Sequence, residues 1–178
     1  IAEENGWTIG TGATAFGISG PGGHSGPGTG GFTVKLFWDY YDFTRDKQLL
    51  KDHIYPTLLG MAQFLSKTLK PQQDGTLLVD PSFSPEQVHQ QTYYRTKGCI
   101  FDQSMILETY HDLLEAARIL NKKDPFLETI RKQIDKLDAI QIGTSGQIKE
   151  FREEKEYGEI GQYEHRHISP VSYTHLTL

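Results

Sequence analysis

Val79-Asp80-Pro81-Ser82-Phe83-Ser84-Pro85-Glu86-Gln87 lies between two long apolar stripes of helical period and has no apolar period of its own. Pro81 and Pro85 each fix φ at about −65°, and each pushes the residue before it, Asp80 and Ser84, toward extended backbone. The stretch reads as a stiff, irregular arm between helices, ending in one carboxylate, Glu86. Such an arm can present a general acid on a helical scaffold. The same residues also spell a helix start, with Ser84 as N-cap, Pro85 at the first helical position and Gln87 three residues after the serine. Both readings hold together, because a cap would fix where Glu86 points.

Upstream of the arm, Ile54, Leu58, Met61, Leu65 and Leu69 recur at a period of about 3.6. Pro56 interrupts that stripe, which predicts a short helix over 46–53 and a long one starting near Tyr55. Val34, Phe37, Trp38 and Tyr41 predict a helix over 32–43. Gln72-Gln73-Asp74-Gly75 reads as a turn, followed by a short extended piece over 76–79. Downstream, residues 88–98 are polar and read as loop. Ile106, Tyr110, Leu113, Ala117 and Leu120 then make the clearest helix, ended by Asn121-Lys122-Lys123. Asp124-Pro125 opens a further helix with the stripe Phe126, Ile130, Ile134, Leu137. Residues 140–178 are irregular.

Residues 1–31 read as a glycine-rich loop, with eight glycines among the fifteen residues from Gly17 to Gly31. Gly26 to Gly31 match G-x-G-x-x-G, but no apolar strand precedes them and no acidic ribose partner follows on a βαβ unit, so a dinucleotide site is not implied. A loop with few side chains can instead pass close to a ligand. Amphipathic helices joined alternately by short turns and by long Gly/Pro-rich loops predict an all-α fold of antiparallel helix pairs, the pattern of an α/α barrel. No residue signature recurs at a solenoid period, so a helical repeat is the weaker option.

The 178 residues suffice for one domain with a core. A formal net charge of −5 argues against a nucleic-acid groove. Nine Tyr, nine Phe and two Trp fit a large core, and also a carbohydrate site with aromatic walls. Cys99 is the single cysteine; it excludes an internal disulfide and reads as a small buried hydrophobe. No apolar run is long enough for a membrane span. The chain begins at Ile1 rather than Met, so it is expected to be a fragment, and the absence of a visible targeting signal says nothing about the full-length protein.

Several polar side chains fall in or beside the long loops: Glu86, Asp102, Glu150, and the run His165-Arg166-His167-Ile168-Ser169. Each has an ordinary reading. Asp102 near a helix start is a dipole partner. Lys149 to Glu156 is a solvated charge run. His165 and His167 lack a third metal ligand.

Taken in order, a set of segments resembles glycoside hydrolase family 95, the α-L-fucosidases. They are Gly30-Gly31-Phe32 leading into Phe37-Trp38-Asp39-Tyr40-Tyr41-Asp42-Phe43-Thr44-Arg45-Asp46; Tyr55-Pro56; Pro81-Ser82-Phe83-Ser84-Pro85-Glu86; Phe101-Asp102-Gln103; Gly146-Gln147-Ile148-Lys149-Glu150-Phe151; and His165-Arg166-His167-Ile168-Ser169. The resemblance implies that residues 1–169 are a piece of an (α/α)6 barrel, a partial barrel of antiparallel helix pairs, within a longer chain. It implies inverting hydrolysis of terminal L-fucosyl linkages on oligosaccharides or glycoconjugates, in the periplasm or outside the cell. Glu86 maps onto the general acid, and Arg166 and His167 onto the sugar subsite. Asp102 and Trp7 are implied pocket residues. No cofactor and no metal are called for.

An inverting enzyme needs the acid and a base-activated water, with the two carboxyls roughly 6.5–9.5 Å apart. The acid must hold its proton near neutral pH, which desolvation by apolar walls favours. The family's base sits in a later Asp-x-Asn-Phe-Gly type segment that this sequence lacks, so the piece is expected to be inactive alone. Thr8-Ile9-Gly10-Thr11-Gly12-Ala13 departs from the family pattern, which keeps L-galactose or a related sugar as an alternative. A non-catalytic helical interaction module is a further alternative. Pro170 to Leu178 also departs and reads as a non-native tail.

Overall fold

Two antiparallel helical hairpins form the frame in the computed structural model, which describes residues 5–7, 9, 12–14, 17–19, 26–138 and 140–165. The first hairpin begins with α1, Gly28–Thr44. Arg45 stops it in the left-handed conformation at φ 56°, its N–H bonded to Tyr41 O. Asp46 then caps α2, Lys47–Leu49, by accepting from Gln48 N and Leu49 N. The chain continues through a π-helical turn, Leu50–Ile54, into α3, Tyr55–Thr68. The break predicted ahead of Tyr55 does not occur. Proline removes one N–H and crowds the carbonyl four residues back. The π-turn, in which Tyr55 N reaches Leu50 O, widens the helix at that place and lets it run on.

The second hairpin is α4, Ile100–Leu120, and α5, Phe126–Ile134. Asn121 ends α4 at φ 58°. Asp124 Oδ1 accepts from Phe126 N at 2.9 Å and starts α5, as the sequence predicts.

Contacts fix how the hairpins meet. Gly30 faces Met61, and the two positions lie symmetrically about the Arg45–Asp46 link, so α1 and α3 are antiparallel. Tyr110 Oη donates to Gln133 Oε1 at 2.6 Å across the Asn121–Pro125 turn, pairing α4 with α5. Gln133 Nε2 donates to Ser66 Oγ at 2.9 Å, tying α5 to α3. Between hairpins, Gly28 meets Asp102, Gly31 meets Met105, and Lys35 Nζ lies 2.8 Å from Glu108. Both numbers rise together, so α1 and α4 run parallel.

Helix α1 starts at Gly28, earlier than the apolar stripe from Phe32 predicts. The reason is packing. A Cβ on Gly31 would stand 2.9 Å from Met105 Cβ, and one on Gly30 would stand 2.4 Å from Met61 Cε. Only residues without side chains let the three helices approach this closely, and that outweighs glycine's poor helix propensity.

The chain is mostly helical, in line with the expected helical fold, with a few short strands beside the helices. The described residues include three two-stranded antiparallel sheets: β1 Gly12–Thr14 with β2 Gly17–Ser19, β3 Leu69–Pro71 with β4 Leu77–Val79, and β5 Val88–His89 with β6 Thr92–Tyr93. The last lies in the stretch read as loop. Gln90 and Gln91, at φ 51° and 65°, make its two-residue turn.

The main core gathers Leu50, Leu58, Met61, Leu65, Ile106 and Tyr110, all fully buried. A smaller cluster joins Cys99, Phe101, Met105 and Phe151. Cys99 is buried, as expected, and burial pushes its thiol well up. The outer face of α1 stays open, with Phe32, Leu36, Phe37, Tyr40 and Phe43 exposed. No helix among the described residues is long and apolar enough to cross a membrane.

Asp112 on α4 is buried, and burial, with Glu108 next in effect, pushes its carboxyl up to about 8. Lys35 opposes the shift, while Asp39 and Asp42 add to it. An unfolded aspartate titrates at about 3.9. The raised value makes the native state the better proton binder, so this contribution to stability is full below about pH 4 and is lost as pH rises through about 8. Asp112→Asn is therefore expected to flatten the fall of the unfolding midpoint between pH 5 and pH 8 and to stabilise most at the upper end. An unchanged pH slope in the variant would show that Asp112 does not carry it.

Candidate active site

The arm 79–87 is pinned along its length. Val79 N donates to Gln103 Oε1 at 3.0 Å, and Gln103 Nε2 donates to Leu77 O at 3.1 Å. The Asp80–Pro81 peptide is cis. Ser82 and Thr96 exchange backbone hydrogen bonds in both directions, each 2.9 Å. Ser84-Pro85-Glu86-Gln87 then forms a β-turn closed by Gln87 N to Ser84 O at 3.2 Å. Proline second and a positive-φ residue third are what a type II turn asks for, and Glu86 has φ 57°.

This overturns the helix-start reading of the same four residues. No helix follows, and the Ser84 hydroxyl donates to Glu150 Oε1 instead of accepting from a helix N–H. A left-handed conformation costs a non-glycine residue about 1–2 kcal/mol. Glu86 is half-buried and is kept in that conformation by its surroundings.

Asp102, in the first turn of α4, is fully buried beneath the arm. Its Oδ2 accepts from Ser82 Oγ at 2.6 Å and from Phe83 N at 3.2 Å, and lies 3.6 Å from Cys99 Sγ. Its Oδ1 accepts from Gly28 N at 2.7 Å. Burial pushes the carboxyl up to about 6, against these four donors. The glycine-rich approach to α1 is explained here: a Cβ on Gly26 would lie 2.1 Å from Asp102 Oδ2. Those glycines make room for a carboxylate of this chain.

Glu150 and Glu154 correct the reading of 149–156 as a solvated run. They are 1% and 2% exposed. Glu154 Oε1 accepts from Glu150 N at 2.5 Å and Phe151 N at 3.2 Å, and burial raises its carboxyl. Glu150 O in turn accepts from Ile100 N at 3.1 Å, at the start of α4. Beyond the turn, Tyr94 N donates to Gln87 O at 3.1 Å. The Tyr94 ring meets Phe151 edge-on at 4.9 Å. Gln87 Oε1 accepts from Gln162 N at 2.8 Å, and His89 Nδ1 lies 2.7 Å from Ile160 O. The segment leading up to His165 therefore runs beside the Glu86 turn.

Of the sequence-predicted site residues, Asp102 is bonded to the arm that carries Glu86. Trp7 is seated on α3: its Nε1 donates to Thr57 O at 3.0 Å, and its indole lies where a Cβ on Gly60 would be. Arg166 and His167 lie outside the described residues. No group of three metal-ligating side chains occurs among the described residues. The cleft beside Glu150, lined by Ser104, Leu137, Asp138 and Arg152, holds about 30 Å³. That is room for water and not for a sugar. Sequence reasoning missed Ser82, Ser84, Gln87 and Gln103 as parts of the assembly. Their signal was the alternation of Ser82 and Ser84 in an extended arm, and the position of Asp102 and Gln103 one turn before Ile106 on an apolar face.

Residues 1–175 match the glycosyl hydrolase family 95 catalytic domain. The chain belongs to glycosyl hydrolase family 95. Curated relatives agree with the match. Alpha-L-fucosidase 2 of Arabidopsis thaliana is 32% identical over 137 residues, which is 74% of this chain and 16% of that protein. Probable alpha-fucosidase A of Aspergillus niger (strain ATCC MYA-4892 / CBS 513.88 / FGSC A1513) is 34% identical over 149 residues, 80% of this chain and 18% of that protein. The family 95 chain described here thus spans less than a fifth of the length of these two relatives. The matched domain includes the arm, both hairpins and the segment that holds Glu150.

Proposed function

We propose that this segment is part of an inverting exo-glycoside hydrolase that releases terminal L-fucose from oligosaccharides or glycoconjugates, with Glu86 as the general acid. The observation that carries the reading is the Glu86 turn: a carboxylate in a left-handed conformation, on an arm tied to two buried carboxylates. That no helix follows Gln87 favours a positioned acid over a helix cap. The sugar is inferred from the names of the two relatives, both of them fucosidases.

In this reading the Glu86 carboxyl gives its proton to the glycosidic oxygen as the bond from that oxygen to the anomeric carbon breaks. Water attacks the opposite face and passes its proton to a carboxylate base outside this segment. The segment alone is then inactive. Arg166 and His167 bind the sugar hydroxyls. The bond from Gln162 N to Gln87 Oε1 supports this, because it leads the chain toward residue 166 from beside Glu86. Asp102 and Trp7 shape the pocket from behind its wall. No cofactor takes part.

The parallel pairing of α1 with α4, each heading its own antiparallel hairpin, supports two consecutive repeats of an (α/α)6 barrel. The exposed apolar face of α1 is where neighbouring helices would pack.

The test uses a longer chain that carries this segment. Incubated with an α-linked 2′-fucosylated oligosaccharide and followed by proton NMR, it is expected to release β-L-fucose first. First appearance of the α anomer would overturn inversion. Release of L-galactose from a matched galactoside, with no fucose from the fucoside, would move the assignment to the other sugar.

A further inference from the structure

Ser82 and Ser84 are both fully or almost fully buried, at 0% and 2% exposure, although they sit in an irregular arm beside exposed Pro81. In extended backbone, side chains two residues apart share a face. Here that face looks inward, onto carboxylates from two different parts of the chain. Ser82 Oγ donates to Asp102 Oδ2 at 2.6 Å and accepts from Cys99 N at 2.9 Å. Ser84 Oγ donates to Glu150 Oε1. Asp102 is part of α4, and Glu150 is joined to the same helix start through Ile100 N. The two anchors therefore share one rigid base. The Glu86 turn begins at Ser84 itself, since Gln87 N closes onto Ser84 O.

Burying two carboxylates is expensive, and hydroxyl groups in a loop can be satisfied more simply by backbone. Charge-assisted hydrogen bonds are, however, short and directional. A pair of them just ahead of Glu86 fixes both the height and the twist of the arm.

Resting on the reading of Glu86 as the general acid, we infer that Ser82 and Ser84 are its positioning residues: with Asp102 and Glu150 they form a two-point clamp that sets where the Glu86 carboxyl meets the leaving oxygen. None of the four has to touch the sugar. Loss of either hydroxyl lets the turn drift, and a displacement of about 1 Å can lower a rate roughly 100-fold. The loss falls on proton transfer and leaves sugar binding intact.

The experiment compares Ser82→Ala, Ser84→Ala, Ser84→Thr and Glu86→Gln in the longer chain that carries this segment. Each is assayed on a 2′-fucosylated oligosaccharide and on an aryl fucoside with an acidic leaving group, and thermal unfolding is recorded alongside. For both alanine variants kcat on the oligosaccharide is expected to fall roughly 10- to 100-fold with KM nearly unchanged. The aryl fucoside should change little, and the alkaline limb of the oligosaccharide pH–rate profile should move. Ser84→Thr, which keeps a hydroxyl, should recover most of the rate. If Glu86→Gln shows the leaving-group signature but the alanine variants lose both substrates alike, or only in step with their unfolding temperature, the clamp is wrong while the acid stands. If Glu86→Gln itself lacks that signature, the acid assignment fails and the clamp falls with it.

Discussion

Glu86→Gln is expected to lose about 10²- to 10⁴-fold in turnover of a fucosylated oligosaccharide, the usual contribution of a general acid. An aryl fucoside with an acidic leaving group should keep most of its rate. The difference arises because a sugar alkoxide is a poor leaving group that needs a proton as the bond breaks, whereas a nitrophenolate leaves without one. Glutamine has nearly the shape of glutamate and can occupy the same turn, so stability should stay within about 0.5 kcal/mol of wild type. KM for the oligosaccharide should move little, because the acid acts on the transition state. Equal loss on both substrates would point to binding or folding. No loss on either would remove Glu86 from the chemistry.

Phe151→Ala is expected to destabilise by about 3–5 kcal/mol, the range for deleting a buried aromatic ring. Phe151 is fully buried, and it closes the small cluster with Cys99, Phe101 and Met105. Its ring also meets Tyr94 edge-on, and the chain at Gly161 passes so close that a Cβ there would stand 3.2 Å from it. Those neighbours lie just past β6, at the start of α4 and in the segment before His165. A void at 151 therefore loosens every element around the Glu86 turn. The denaturant midpoint should drop sharply, with hydrogen-exchange protection lost first around Ser82, Tyr94 and Thr96. A change below about 1 kcal/mol would mean that the cluster collapses onto the gap and is not a defining core.

The long helices were legible because their apolar residues repeat at helical spacing: Ile106 to Leu120 fall in α4 and Leu58 to Leu65 in α3, while Leu69 at the end of that stripe already belongs to β3. The first turn of α1 was hidden, because glycine reads as loop unless one knows that Met61 and Met105 press against it. The π-turn before Pro56 was hidden for a related reason: a proline's local effect is plain, but the helix's way around it is not. At the candidate site, Glu86 and Asp102 stood out by residue type and motif. The positive φ of Glu86 did not, since it depends on the bond between Gln87 and Ser84. Glu150 and Glu154 looked like solvated charges because their neighbours in sequence are charged, and only three-dimensional packing separates the two buried acids from the rest.

The bond from Gly28 N to Asp102 spans 74 residues of sequence. During synthesis the first hairpin is complete at Thr68, yet the opening turn of α1 still lacks its acceptor. That acceptor emerges only with the start of α4, after the β3–β4 hairpin and the whole arm. The first hairpin can form early, but its end cannot be finished early. The arm that carries Glu86 is laid down between the two halves of this joint, and the same carboxylate that completes α1 receives Ser82. A nascent chain thus gains its first-helix terminus and the first of the arm's two anchors with the arrival of Asp102, while the second, at Ser84, waits for Glu150.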